Sequence, residues 1–166
     1  MADAVDDILA QWRRERPDLD VWPMGIIGRI SRLQMLLHRE LRGFFAERGL
    51  ESWEFDVLAT LRRSGAPYEL TAGALLKAAM VTSGAITNRI DRMEAKGLVE
   101  RVRDAGDRRS VLIRLTPRGL AVVDEAVGAH VENEARLLDA LGPSEREDLA
   151  GRLRVLLESL GDTSRA

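Results

Sequence analysis

The 166-residue chain contains no cysteine. That removes disulfides, thiol nucleophiles and cysteine-based redox sensing, and it suits a reducing cytoplasm. Histidine is nearly as scarce: His38 and His130 are the only two, and with no cysteine beside them no metal site is expected. Charge interrupts every apolar run well before the ~20 residues a membrane span needs. The first residues lack the charged start, apolar core and small-residue cleavage site of an export signal, so the expected location is the cytoplasm. No glycine-rich phosphate loop and no serine or threonine nucleophile motif is present. The paired carboxylates Glu145 and Glu147 suit the charge preference of a helix N-terminus. Neither an enzyme nor a cofactor is expected.

What is present describes a folded domain. Hydrophobic residues make up 45% of the chain and charged residues 31%, a balance that favours one well-cored globular unit over disorder. The net charge of -2 conceals a division. From Thr71 to Thr116 nine cationic side chains stand against five anionic ones, a local balance of +4, and the remainder carries -6. A basic segment on an acidic body is what a polyanion-binding face needs, although a solvated helix face has the same appearance.

Periodicity and punctuation predict the elements. A short helix over about 2–15 carries Val5, Ile8, Leu9 and Trp12 at helical spacing and stops before Pro17. Pro23 suits a first-turn position, and the long helix behind it, to about residue 48, presents Ile26, Ile30, Leu33, Leu37, Leu41 and Phe44. Gly49 is placed to end it. Ser52 is the expected cap of a helix through 63 that turns Trp53, Val57, Leu58 and Leu61 to a core. Asp56 falls with Ser52, Thr60 and Arg63 on its polar side. Thr71 opens a short helix, Thr82 or Ser83 the next, and Gly97 closes that one. The period then changes to two, predicting strands over 98–103 and 110–115 joined as a hairpin. Thr116-Pro117 starts a helix carrying Leu120, Val123, Val127, Val131 and Leu138, which Gly142 is expected to stop. Ser144 to Glu147 has the form of a capping box for the last helix, with Leu149, Leu153, Leu156 and Leu160.

Helix, turn, helix and hairpin form the layout of a winged helix-turn-helix, in which the second helix enters the major groove by its N-terminal end. Here that end offers Thr82, Ser83, Ala85, Thr87 and Asn88. Hydroxyls and an amide suit phosphate and base edges, and small residues permit close approach. The same small residues also permit helix packing. Arg108 and Arg109 lie beside the hairpin turn, within reach of a minor groove, and Asp107 is near enough to orient one of them.

The stretch "DRRSVLIRLT", with "SGAITNRIDRMEAKGLVER" before it, resembles the wing and recognition helix of the MarR family of bacterial transcription regulators, and the likeness extends over essentially the whole chain. The resemblance implies a mainly α fold with a small β wing, organised as one domain over residues 1–166. Residues 1–15 form an N-terminal helix ahead of the usual fold, 21–48 and 117–160 the dimerisation helices, and 52–116 the winged DNA-binding region. It implies a cytoplasmic homodimeric repressor on a pseudo-palindromic double-stranded operator.

The helix over 1–15 makes the chain similar to the urate-responsive subgroup. That likeness implies an effector site of Trp12, Asp56, Arg89 and Arg101, in which two guanidinium groups meet the oxygens of a planar anion, an indole covers its face and a carboxylate accepts a ring N–H. Read without the resemblance, Trp12 completes an apolar stripe, Asp56 is a solvated carboxylate, and Arg89 and Arg101 bind phosphate. A regulator of the same fold sensing another anion, such as a tricarboxylate, is the alternative. A helical protein-interaction module with a vestigial wing is the alternative of another class.

Overall fold

A computed structural model describes residues 2–79, 86–103 and 110–163. Among the described residues the order is α1 (Ala4–Glu15), α2 (Trp22–Ala46), α3 (Ser52–Arg63), β1 (Glu69–Thr71), α4 (Ala72–Ala78), α5 (Ile86–Ala95), β2 (Val99–Arg103), β3 (Val111–Leu115), α6 (Pro117–Leu137) and α7 (Pro143–Ser159). The three strands are antiparallel in the order β1-β3-β2. This is the mainly helical winged helix-turn-helix read from the sequence.

Two cores of unequal size result. The larger surrounds α3, whose Val57, Leu58 and Leu61 have no exposed surface, and it gathers Leu75, Ile90, Met93, Val99, Ile113 and Val123 from the helix-turn-helix, the sheet and α6. At about 1.5–3 kcal/mol per fully buried aliphatic side chain, this cluster supplies the main drive for folding. The smaller joins α1 to α2 through Val5, Leu9 and Val21. Asp3 caps α1, accepting from the N–H groups of Val5 at 2.8 Å and Asp6 at 3.0 Å. Arg29 of α2 then donates to Asp3 at 2.8 Å and Asp6 at 2.6 Å.

The terminal helices are a different case. Ile26, Ile27, Leu33 and Met35 of α2 and Val155, Leu156 and Leu157 of α7 all remain exposed, and α7 has no buried residue. Ile8 and Trp12 of the α1 stripe are also exposed, each at 42%.

Several boundaries differ from the sequence reading. Glu51, not Ser52, is the N-cap of α3, because Glu54 reaches back to accept the Glu51 N–H at 2.9 Å. Likewise Gly142 is the N-cap of α7 and does not terminate α6, which ends at Leu137; Glu145 accepts the Gly142 N–H at 2.7 Å, so the helix is capped two residues before Ser144. Strand β1 carries too few residues to show a period, and pairing with β3 defines it. Gly49 (φ +70°) and Gly97 (φ +67°) take the left-handed conformation after α2 and α5. The expected polar side of α3 is only partly solvated: Thr60 is buried and Asp56 half-buried, while the exposed Arg63 donates to the Ala78 carbonyl at the end of α4.

Candidate DNA interface and effector site

Helices α4 and α5 form the helix-turn-helix, and β2 with β3 forms the wing beside it. Burial of Ile90 and Met93 against α3 turns the opposite face of α5 outward, so Thr87 and Asn88 in its first turn are exposed. Of the other residues expected at DNA, Thr82, Ser83, Ala85, Arg108, Arg109 and the orienting Asp107 lie outside the described residues. Arg103 ends β2 as an exposed cation leading into the wing, and Lys77 is exposed in the last turn of α4.

The basic segment is less uniformly available than its sequence suggests. Arg114 sits between two cross-strand partners, its Nε donating to Glu69 at 2.7 Å and its Nη1 3.9 Å from Glu100. Lys96 meets Glu54 at 2.7 Å. Arg101 donates from its guanidinium to both Asp91 and Glu94 of α5. Partial burial alone lowers its pKa, but the two carboxylates outweigh that and hold it above its ordinary value. The expectation that the arginines as a group meet DNA therefore narrows: these three cations are engaged by carboxylates within the module, and among the described residues Lys77 and Arg103 are exposed cations.

The four expected effector residues are spread over four elements. Arg89 projects from α5 to α3, its guanidinium carbon 5.2 Å from the centroid of Trp53, with Nη1 buried and without a hydrogen-bond acceptor. Arg92, one turn on, stands 5.3 Å from the same ring. Asp56 lies one turn along α3 from Trp53. Arg101, in contrast, lines a cavity of about 180 Å³ with Ile86, Thr87, Ile90, Val111 and Ile113, and that cavity includes none of Trp12, Asp56 and Arg89. Trp12 stands on α1. The structure thus places Arg89 beside Trp53, with Asp56 one turn along the same α3, and Arg101 in a cavity that includes neither Arg89 nor Asp56.

Trp53 and Glu54 were missed as site residues. The signal existed for Glu54, which precedes Val57, Leu58 and Leu61 by three, four and seven residues and therefore falls on their buried stripe. His130 packs among Phe44, Phe45 and Phe55, the last at 4.7 Å. Among the described residues no group of three His, Cys, Asp or Glu side chains is arranged for a metal, and no helix is long and apolar enough to cross a membrane.

Known proteins agree with this architecture. The MarR family model matches residues 48–110. The HTH-type transcriptional regulator PecS of Dickeya dadantii is 45% identical over 149 residues, which cover 90% of each chain. A mutant MarR of Escherichia coli complexed with operator DNA superposes with a TM-score of 0.70 at 25% identity, covering 88% of this chain and 97% of that one. Bordetella bronchiseptica BpsR, whose DNA binding is regulated by 6-hydroxynicotinic acid, superposes with a TM-score of 0.68 at 27% identity, covering 83% of this chain and 94% of that one. PecS and MarR regulate transcription and are not enzymes, and the reading as a protein-interaction module with a vestigial wing falls with this finding. The chain belongs to the MarR family of DNA-binding transcriptional regulators.

Proposed function

We propose that this regulator is a homodimeric repressor that a small planar anion, with urate as the leading candidate, releases from a pseudo-palindromic operator. The observation that carries the effector reading is the buried Nη1 of Arg89 with no acceptor. A buried charged donor left unsatisfied is costly, and an anionic oxygen arriving there relieves it. The donor belongs to α5, whose exposed first turn faces DNA, so a ligand bound at Arg89 acts on the reading element. Trp12 and Asp56 belong to the scaffold helices α1 and α3 and complete the site from the other side; Arg101 joins it by leaving Asp91 or Glu94. BpsR, whose DNA binding responds to 6-hydroxynicotinic acid, supports a regulator of this fold answering to a planar organic acid.

Dimerisation is supported by the exposed apolar faces of α2 and α7. Side chains such as Ile27, Met35, Val155 and Leu157, each at least 50% exposed in one protomer, need a partner surface. A second copy supplies it by two-fold symmetry and sets two α5 helices toward successive major grooves roughly 34–36 Å apart. Repression follows from occupancy of the operator, and release needs only that the ligand prefer the geometry that does not bind DNA, about 1.4 kcal/mol for a tenfold effect. A gel-shift titration on the chain's own upstream DNA, with urate and citrate added separately, tests the proposal. Release by urate supports it, release by citrate alone transfers it to a tricarboxylate, and release by neither overturns the effector reading.

A further inference from the structure

We infer that Glu54 and Lys96 are positioning residues for operator binding, fixing the rotation of α5 about its own axis without themselves touching DNA.

Glu54 has no exposed surface, although its helix begins only two residues earlier. The Lys96 ammonium lies 2.7 Å from one of its carboxylate oxygens and 2.8 Å from the other, and that second oxygen also accepts the Glu51 N–H. A buried carboxylate stripped of its cation is strongly unfavourable, so the pairing is obligatory once α3 has folded. Lys96 follows Arg89 by seven residues and Arg92 by four, which puts all three on one side of the helix line. Arg89 and Arg92 meet Trp53, and Lys96 meets the next residue of α3, Glu54. One side of α5 therefore rests on the first turn of α3, and Arg101 of β2 grips Asp91 and Glu94 on another.

Apolar contacts of Ile90 and Met93 hold α5 down but are not directional. The ion pair has a direction, and it sets where Thr87 and Asn88 point. Lys96 stands nine residues beyond Thr87, about 13 Å along the axis at 1.5 Å per residue, so its action at the groove is through the helix.

The test compares Glu54→Gln, Lys96→Met, Lys96→Arg and the Glu54→Gln/Lys96→Met double variant for affinity to the chain's upstream DNA over a salt series. Helical content by circular dichroism and mass by sedimentation are followed in parallel. Glu54→Gln is the decisive variant, because glutamine keeps the shape and can still accept the Glu51 N–H. Removing a negative charge tightens DNA binding if only long-range electrostatics operate; the positioning role requires about tenfold weaker binding with unchanged mass and helicity. Lys96→Met should weaken binding at least as much with the salt slope preserved, the double variant should lose no more than Lys96→Met alone, and Lys96→Arg should stay within about threefold of the parent. Wild-type affinity or tighter in Glu54→Gln overturns the inference. So does a salt slope that falls by about one in Lys96→Met, the mark of a direct phosphate contact. If Lys96→Met does not fold, Glu54→Gln decides alone; a lowered unfolding temperature with unchanged affinity reduces the pair to a purely structural one.

Discussion

The Arg89 guanidinium carbon stands 5.2 Å from the ring centroid of Trp53, and its Nη1 is buried without an acceptor. The arrangement holds a cation ready on the side of α5 that faces the scaffold. Arg89→Ala should abolish the effector response and also weaken operator binding several-fold, since the residue lies two positions after Thr87. Trp12→Phe and Asp56→Asn should leave operator affinity within about twofold and reduce the ligand's effect at least tenfold, or about 1.4 kcal/mol of coupling. Gel shifts with and without ligand measure both quantities, and an unchanged response in both scaffold variants places the pocket elsewhere.

The apolar faces of α2 and α7 lead to a second expectation. Leu153 and Ile30 border the same groove between these helices, so Leu153→Glu puts a charge where a partner helix packs. Sedimentation at micromolar concentration should show a dimer for the parent and at least tenfold weaker association for the variant. A monomeric parent protein contradicts the assembly.

Wing arginines carry the third. Changing Arg108 and Arg109 together to alanine should lower operator affinity at least tenfold. The salt slope should fall by up to about two, because each arginine that neutralises a phosphate accounts for about one. Dimer mass should not change. Equal affinity means that the wing does not touch DNA.

Acid should loosen α1. The Arg29 hydrogen bond holds the Asp3 carboxyl below its ordinary value; for Asp6 the Asp3 backbone N–H acts first and Arg29 second. Carboxylates with depressed values stabilise the fold at every pH above their unfolded value of about 3.9, and the contribution is lost as pH falls through the folded value. Protection of the α1 amides should therefore not change with pH near neutrality and should fall below about pH 4. Arg29→Ala should show the raised exchange already at neutral pH, and equal protection in both proteins contradicts the linkage.

At Gly119 the constraint is steric. A Cβ there would lie 1.9 Å from the Leu98 carbonyl oxygen, at the start of α6 where Thr116 Oγ1 accepts the Gly119 N–H. Gly119→Ala forces backbone apart and should cost about 1–3 kcal/mol. Urea unfolding measures it; an unshifted midpoint means that the α6 junction yields freely.

Much of this was legible in the residues. Pro23, Thr71, Thr116-Pro117 and Gly97 mark helix ends by local chemistry, and local chemistry survives folding. The change of period at Leu98 announced the wing. What was not legible depends on contacts between distant segments. Strand β1 exists because Leu70 meets Ile113 across the sheet, and Arg114 and Arg101 are braced by carboxylates that pairing or proximity brings to them. Trp53 reads as core from its spacing and becomes a platform for two guanidinium groups only when α5 lies across it. At Glu54 the stripe position was readable, but its partner 42 residues on was not.

The central claim, that an anion moves this regulator off DNA, is tested most directly by titrating urate into the protein bound to its own upstream duplex at fixed salt and following the bound fraction by gel shift. Urate should release the DNA in the parent. Trp12→Phe, with near-parental affinity in the absence of ligand, should need at least tenfold more urate for half release. A bound fraction that stays constant across the urate titration of the parent protein contradicts the claim.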